Sequence, residues 1–406
     1  MQPTGDLRGD AVHVGGDARQ RFYDSRGYGR PLGGNEIALS RVETAHLLFR
    51  GDLAGVTLDG DATGNADEAD GSADAVGDSE PVGFERFFVD SAAVVDRFAV
   101  RYLVYADLRD RGFYLSPARE PWPGGRAAVS DAVDVVAYER GSTPDTGNVR
   151  YPVRIVGERE SVPAADVAGQ TLAVVDEESD ITYFEAEPAD VDGSTDYEQP
   201  TDLTGVLLAD RVVVWDAPPD LYERGFYGQP LTGRAAAVEG ALQLSLVEAA
   251  SLAAAGSLRL SEVIDDGRTV VDEASTAAEP STSATDPAGA AAAIVARGRD
   301  VEGDRFDRRL ATYRALRDRR TVPKTGFKFG ADFRTYLDVE TVEDLPHSEH
   351  LVRVIEPDHA FAPRELSLDV RLAGGVRKEL LFALVGEVDD DTTPGIEWLS
   401  IGRLTP

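Results

Sequence analysis

Two fifteen-residue stretches, RFAVRYLVYADLRDR at 97–111 and RFDRRLATYRALRDR at 305–319, keep their large apolar residues on one helical face. In the first that face is Phe98, Tyr102, Tyr105 and Leu108; in the second it is Phe306, Leu310, Tyr313 and Leu316. Both carry Arg-Phe, then Tyr, then Leu-Arg-Asp-Arg at identical spacing, so the pattern predicts one helix written twice. Upstream, LSRVETAHLLFRGDL (39–53) returns as LSLVEAASLAAAGSL (244–258), and RGYGRPLG (26–33) returns as RGFYGQPLTG (224–233). Each copy of the first pair opens on Ser-x-x-Glu, Ser40 with Glu43 and Ser245 with Glu248. In that capping box each side chain satisfies a free amide of the first helical turn. Gly51 and Gly256 suit the helix ends. Beyond the second long helix, GFKFGADFRTYLDV alternates between glycines as a hairpin does, while HLVRVIE and LSLDVRL read as strands. VRKELLFALVGEV fits either a helix running into a strand or one buried strand.

These repeats predict a tandem duplication of α+β (mixed α/β) class, each copy a small N-terminal subdomain followed by a larger mixed sheet flanked by helices. The expected boundaries are 1–58 and 81–190 for the first copy, and 203–268 and 294–406 for the second. Between the subdomains lie an acidic stretch, 59–80, and an Ala/Ser/Thr/Pro-rich one, 269–293. Neither holds enough apolar surface to offset the entropy of ordering, so both are expected to be linkers.

Charge changes the picture of possible partners. The 406 residues include 73 acidic and 41 basic side chains, for a formal net charge of -32, which in dilute salt would repel nucleic acid. The acids are spread along the chain and arginine has displaced lysine, a composition suited to molar salt, where the Debye length is about 3 Å. Close contacts between specific groups survive such screening, so net charge excludes little. The absence of cysteine does exclude disulfides and thiolate metal sites. AAAVEGALQLSLVEAASLAAAGSL, the most apolar region, is interrupted by Glu239 and Glu248 and reads as packed helices rather than a membrane span. No basic segment followed by an apolar run opens the chain. A soluble, cytoplasmic protein is expected.

Lysine and histidine are scarce enough to be informative. Lysine occurs only at Lys324, Lys328 and Lys378; histidine only at His13, His46, His347, His350 and His359. The strand-rich part of the first copy has neither, whereas that of the second has both. Tyr336, His347 and Lys378 supply a phenol, an imidazole and an amine, sufficient for metal-free cleavage of an RNA phosphodiester. One group takes the proton of the 2'-hydroxyl, one protonates the leaving 5'-oxygen and a cation stabilises the charge on phosphorus. Each also has an ordinary reading: Tyr336 as a core residue, His347 as a loop or capping histidine, Lys378 as a solvated helix residue. His347 and His350 imitate half a metal site but lack a third ligand.

KTGFKFGADFRTY, HSEHLVRV and RLAGGVRKELLFALV closely resemble the catalytic domain of the archaeal tRNA-intron (tRNA-splicing) endonucleases, with the likeness strongest over 305–385. The resemblance implies cleavage of precursor tRNA at a bulge-helix-bulge, with Tyr336 as general base, His347 as general acid and Lys378 as electrostatic stabiliser. It implies 2',3'-cyclic phosphate and 5'-hydroxyl ends and no metal or other cofactor. By position, Arg371 and Arg403 would clamp a bulged base by cation-π stacking. The second copy would be catalytic and the first a degenerate partner. Two chains would form a homodimer through an acidic loop, here Asp176, Glu177, Glu178 and Asp180, inserted into a basic pocket. Gly374 and Gly375 depart from the family pattern, in which a polar His-Ser pair is common before the lysine. Two other readings compete: a metal-dependent nuclease of restriction-endonuclease type using Asp332 and Lys328, and a non-catalytic RNA-binding or assembly subunit.

Overall fold

The computed structural model describes residues 2–58, 80–126, 130–142, 144, 147–234, 238–261, 285–387 and 395–406. Most of both expected linkers lies outside the described residues. The chain divides into two compact units: residues 1–187 with 360–368 and 402–406, and residues 188–359 with 369–401.

In the first unit, strands β1 (Thr4–Arg8), β2 (Ala11–Val14), β3 (Arg30–Gly33), β4 (Glu36–Ser40) and β5 (Gly55–Thr57) form one sheet in the order β3-β4-β2-β1-β5. Its last antiparallel strand runs directly into helix α1 (Arg41–Phe49). There the predicted cap is formed: Ser40 accepts from the Glu43 amide while Glu43 accepts from the Ser40 amide. Gly51 closes the helix at φ +69°. Helices α2 (Phe84–Val94) and α3 (Phe98–Asp110) follow, and α3 buries the expected face of Phe98, Tyr102, Tyr105 and Leu108. The larger sheet comprises β6 (Tyr114–Pro117), β7 (Val135–Tyr138), β8 (Val149–Gly157), β10 (Gln170–Val175) and β11 (Ile181–Pro188); a short β9 (Val162–Pro163) lies apart. Its order is β6-β7-β8-β10-β11, antiparallel except for the parallel pair β8–β10.

The second unit repeats this plan. β12 (Leu203–Leu207), β13 (Arg211–Val214), β14 (Gln229–Pro230), β15 (Leu242–Ser245) and β16 (Leu258–Leu260) pair in the order β14-β15-β13-β12-β16. Helix α4 (Pro219–Glu223) is short, and α5 (Leu246–Ala254) carries the second capping box, on Ser245 and Glu248. Helix α6 (Pro287–Glu302) is capped by Asp286, whose carboxylate accepts from the Gly289 amide at 2.7 Å. Residues 287–293, expected to be linker, are therefore helical: alanine has the best helix propensity, and here it follows a cap and a proline at the first position. Helix α7 (Arg305–Asp318) buries Phe306, Leu310, Tyr313 and Leu316 as predicted. The larger sheet is β17 (Val322–Thr325), β18 (Phe333–Tyr336), β19 (His350–Ile355), β21 (Glu379–Val385) and β22 (Ile396–Leu404), in that order, with β19–β21 parallel. β20 (Ala360–Phe361), which belongs to the first unit, pairs there with β9.

Two expectations need correction. LSLDVRL is not a strand; it lies within helix α8 (Pro363–Gly375). Its alternation hides a second period, in which Leu366, Val370 and Ala373 are buried while Leu368 and Leu372 stay exposed. The apolar region 235–258 is not all helix either, since β15 precedes α5. Among the described residues no helix is long and apolar enough to cross a membrane. VRKELLFALVGEV resolves as a turn followed by the buried strand β21.

Candidate active site

The register of the second unit's larger sheet decides which side chains meet. Arg334 pairs with Leu351 and Thr335 with His350 across β18–β19, while His350 pairs with Glu379 and Leu351 with Leu380 across β19–β21. One step beyond, the Glu349 amide donates to the Thr335 carbonyl at 3.0 Å and the Glu379 amide to the Glu349 carbonyl at 3.0 Å. Tyr336, Glu349 and Lys378 therefore fall in one row across the sheet and share a face. Tyr336 and Lys378 sit two strands apart, about 10 Å between backbones at the usual strand spacing. His347 is exposed in the loop that feeds β19, the strand between them.

Each position has a local cause. Tyr336 is anchored by packing with Phe226, Val322 and Val339 and is only 5% exposed. Lys378 follows the end of α8, where its amide donates to the Ala373 carbonyl at 3.0 Å and Arg377 takes φ +57°. Its ammonium donates to the carbonyl of Ser348, the residue after His347, and lies 5.7 Å from the Phe329 ring. Burial and then the charge of Arg334 hold the Lys378 pKa below the usual lysine range, against the opposing pull of Glu349. A Cβ added at Gly374 or Gly375 would meet nothing within 4 Å, so the turn to Lys378 does not depend on glycine at either place.

Neighbouring candidates are engaged elsewhere. Asp332 is buried, its carboxylate held by Arg305 at 2.6 Å, Arg309 at 3.1 Å and the Val354 amide at 2.9 Å. His350 is buried against Thr335 Oγ1 at 3.1 Å, and burial lowers its pKa. Among the described residues no group of three or more His, Asp or Glu is placed to hold a metal ion. Arg371 is exposed on α8, and Arg403 is exposed on β22 within the segment that groups with the first unit. Asp176, Glu177, Glu178 and Asp180 form the exposed turn between β10 and β11, where Asp176 accepts from the amides of Glu178 and Asp180 at 2.9 Å each.

Sequence reasoning missed two cations. Lys324 is structural: its ammonium donates to the carbonyls of Phe226 at 2.8 Å and Gly228 at 3.2 Å, and pairs with Glu248 at 3.4 Å. Arg334 shares the face of Tyr336, two residues along β18, with its guanidinium carbon 5.8 Å from the Tyr336 ring. The alternation of β18 was the signal for it, since residues i and i+2 point the same way. Arg334, Lys324, Arg309 and Arg211 together line a cleft of about 520 Å³ within the second unit.

The profile of the tRNA intron endonuclease catalytic C-terminal domain matches residues 306–397, and that of the family's N-terminal domain matches twice, at 4–67 and 203–273. The chain belongs to the tRNA intron endonuclease family. It is 52% identical to a tRNA-splicing endonuclease of Halobacterium salinarum, 48% to one of Haloferax volcanii and 34% to one of Methanosarcina mazei. Each match covers at least 98% of both chains. As a tRNA intron endonuclease the chain is an enzyme, and the haloarchaeal relatives account for its acidic, lysine-poor composition. The catalytic match falls on the second repeat alone, which is the half that carries the lysines.

Proposed function

We propose that the protein excises introns from precursor tRNA by cutting at bulge-helix-bulge junctions through attack of the 2'-hydroxyl on the adjacent phosphorus. The new 2'-O–P bond forms as the P–O5' bond breaks. Tyr336 removes the 2'-hydroxyl proton, His347 protonates the departing 5'-oxygen, and the Lys378 ammonium faces the charge that builds on phosphorus. The products are a 2',3'-cyclic phosphate and a 5'-hydroxyl, and no metal takes part. The observation that carries this reading is the single sheet row holding Tyr336 and Lys378, with His347 in the loop that feeds the strand between them. The rival metal-dependent site is disfavoured because both oxygens of Asp332 are spent on arginines and an amide.

Incubation with intron-containing precursor tRNA in concentrated potassium chloride plus EDTA tests the reading. Cleavage with cyclic phosphate ends is expected, and His347→Ala is expected to abolish it. Loss of activity on chelation would favour the metal-dependent rival.

The working form is a cytoplasmic homodimer in which the first repeat is structural and the second catalytic. In it the exposed carboxylates of Asp176, Glu177, Glu178 and Asp180 enter the cationic cleft of a second copy. Replacing all four by alanine should leave monomers by light scattering. Arg371 and Arg403 grip an unstacked base, so Ala at either should weaken RNA binding without altering the fold.

A further inference from the structure

The segment that joins the repeats is tied to the chain on both sides of Tyr336. Residues 191–195, neither helix nor strand, cross the end of the β17–β18 pair at which Val322 faces Tyr336. The Ser194 amide donates to the carbonyl of Leu337, the residue after Tyr336, at 2.7 Å, and the Ser194 hydroxyl donates to Asp338 at 2.6 Å. The Thr195 hydroxyl donates to the Val339 carbonyl at 3.2 Å, and Val339 packs on Tyr336. On the other strand, the Gly193 amide donates to the Arg319 carbonyl at 2.8 Å and the Thr195 amide to the Arg320 carbonyl at 3.0 Å. The Thr321 hydroxyl donates back to the Val191 carbonyl at 2.5 Å. Leu337 is held from the opposite side as well, since its amide donates to Glu349 at 3.3 Å.

Two residue choices suit this strap and nothing else nearby. A Cβ on Gly193 would lie 2.5 Å from the Arg320 carbonyl oxygen, 2.8 Å from that of Leu337 and 2.9 Å from Thr321 Oγ1, closer than side-chain carbons approach. Arg320 takes φ +62°, a left-handed conformation that only glycine adopts freely. Counted back from Val322 and from its counterpart Tyr114, the first repeat places Gly112 at this corner, at φ +90°. The second repeat carries arginine there, and its guanidinium donates to the Ser194 carbonyl at 2.9 Å. The first repeat uses its matching carbonyl locally: Glu139 follows Tyr138 as Leu337 follows Tyr336, and it accepts from the Ser142 amide at 2.9 Å.

We propose that residues 193–195 are a strap that positions the Tyr336 phenol for proton transfer, with Gly193 and Arg320 as its positioning residues. The inference rests on the RNA-cleaving reading above, in which Tyr336 takes the proton of the 2'-hydroxyl. That step needs the phenol within hydrogen-bond reach of the hydroxyl, and a displacement of about 1 Å can cost about 10² in rate. The strap fixes the backbone on both sides of the phenol, at Thr321 before its partner Val322 and at Leu337 after Tyr336 itself.

The test compares the wild-type chain with G193A and R320G on a bulge-helix-bulge RNA. Rate is measured in single turnover on the all-ribo RNA, and binding on RNA with a 2'-deoxy sugar at the cleavage site. Both variants should bind as the wild type does and cleave about 10–10²-fold more slowly, G193A the slower of the two. R320G suits the left-handed corner and loses only the guanidinium tie, so it decides alone if G193A does not fold. Each variant is repeated in a Tyr336→Phe background, where the residual rate should fall no further. An equal fall in that background would overturn the proposal, because the strap would then act through something other than the phenol. So would wild-type rates in both variants, or a loss confined to binding. Should Tyr336→Phe itself cleave at the wild-type rate, or the wild-type chain leave the RNA uncut, the parent reading fails. Amide exchange still tests the strap in that event: the Ser194 and Thr195 amides should exchange faster in R320G, and unchanged exchange rejects it.

Discussion

Helices α1 and α5 bury the same glutamate in the same cap, and the pKa values of the two carboxyls are shifted in opposite directions. Glu43 accepts from the Gly29 amide at 2.6 Å, the Ser40 amide at 2.8 Å and the Ser40 hydroxyl at 2.7 Å. Glu248 accepts from Gly228 at 2.9 Å and from the Ser245 amide and hydroxyl at 3.0 and 2.8 Å. Burial raises the pKa of both. For Glu43 burial wins and the net shift is upward, whereas at Glu248 the charge of Lys324 joins the donors and the net shift is downward. The counterpart of Lys324 in the first repeat is Ser116, whose hydroxyl instead accepts from the Gly124 amide at 3.0 Å. Around them much is shared: Arg109 stacks 3.8 Å from the Tyr28 ring and Arg317 stacks 4.1 Å from the Tyr227 ring. The duplicated scaffold thus keeps its cap and its stacked arginine, and commits a lysine only in the second copy. A lysine that pins Gly228 and Phe226 to β17 is one reason that so lysine-poor a chain retains one here.

The same contrast holds at the site. Tyr138 occupies the position of Tyr336 and is buried like it, and Ala168 stands in the register position of Lys378. Asn148 comes three residues before Tyr151, as His347 comes three before its counterpart His350. The first repeat keeps the phenol and lacks the other two groups.

The contrast can be broken in four ways. Lys324→Met leaves Glu248 buried without its cation and should cost roughly 3–5 kcal/mol in denaturant unfolding, whereas Ser116→Ala should cost about 1 kcal/mol. Equal losses would mean that the lysine is not what separates the repeats. Lys378→Ala should lower the single-turnover rate by about 10²–10³, while Ala168→Lys in the first repeat should add no activity, having no histidine beside it. Ser40→Ala and Ser245→Ala should each cost about 1 kcal/mol, since both caps are complete.

Acid should separate the two caps. Glu248, with its folded pKa depressed, contributes stability that is present above the unfolded carboxyl value of about 4.3 and is lost as pH falls through its folded value. Glu43, with its folded pKa raised, contributes stability that is complete below about 4.3 and is lost as pH rises through its folded value. Amide exchange followed down through pH 4 should therefore show α5 losing protection relative to α1, and the reverse order would contradict the assigned shifts.

Much of this was legible in the residues themselves. The paired helices, both capping boxes and the duplication follow from spacing that any local stretch displays. The scarcity of lysine and histidine pointed to the second copy, and the resemblance to the tRNA-intron endonucleases implied Tyr336, His347 and Lys378 before any fold was known. LSLDVRL was misleading because its leucines satisfy period two and, through Leu366, Val370 and Ala373, the helical period as well. Only packing chose between them. Lys324 was passed over because its partner Glu248 lies far along the chain, and Arg334 because nothing local distinguishes an unpaired arginine from a paired one.

The order of residues alone determined the faces of helices, their caps and the doubled plan, because these depend on neighbours three or four positions apart. Which lysine is buried with Glu248 and which donates to the Ser348 carbonyl, and that Tyr336 and Lys378 share a row through Glu349, were decided by strand register in the folded sheet. Register is set by core packing and backbone hydrogen bonds between distant segments, so no stretch of the chain carries it by itself.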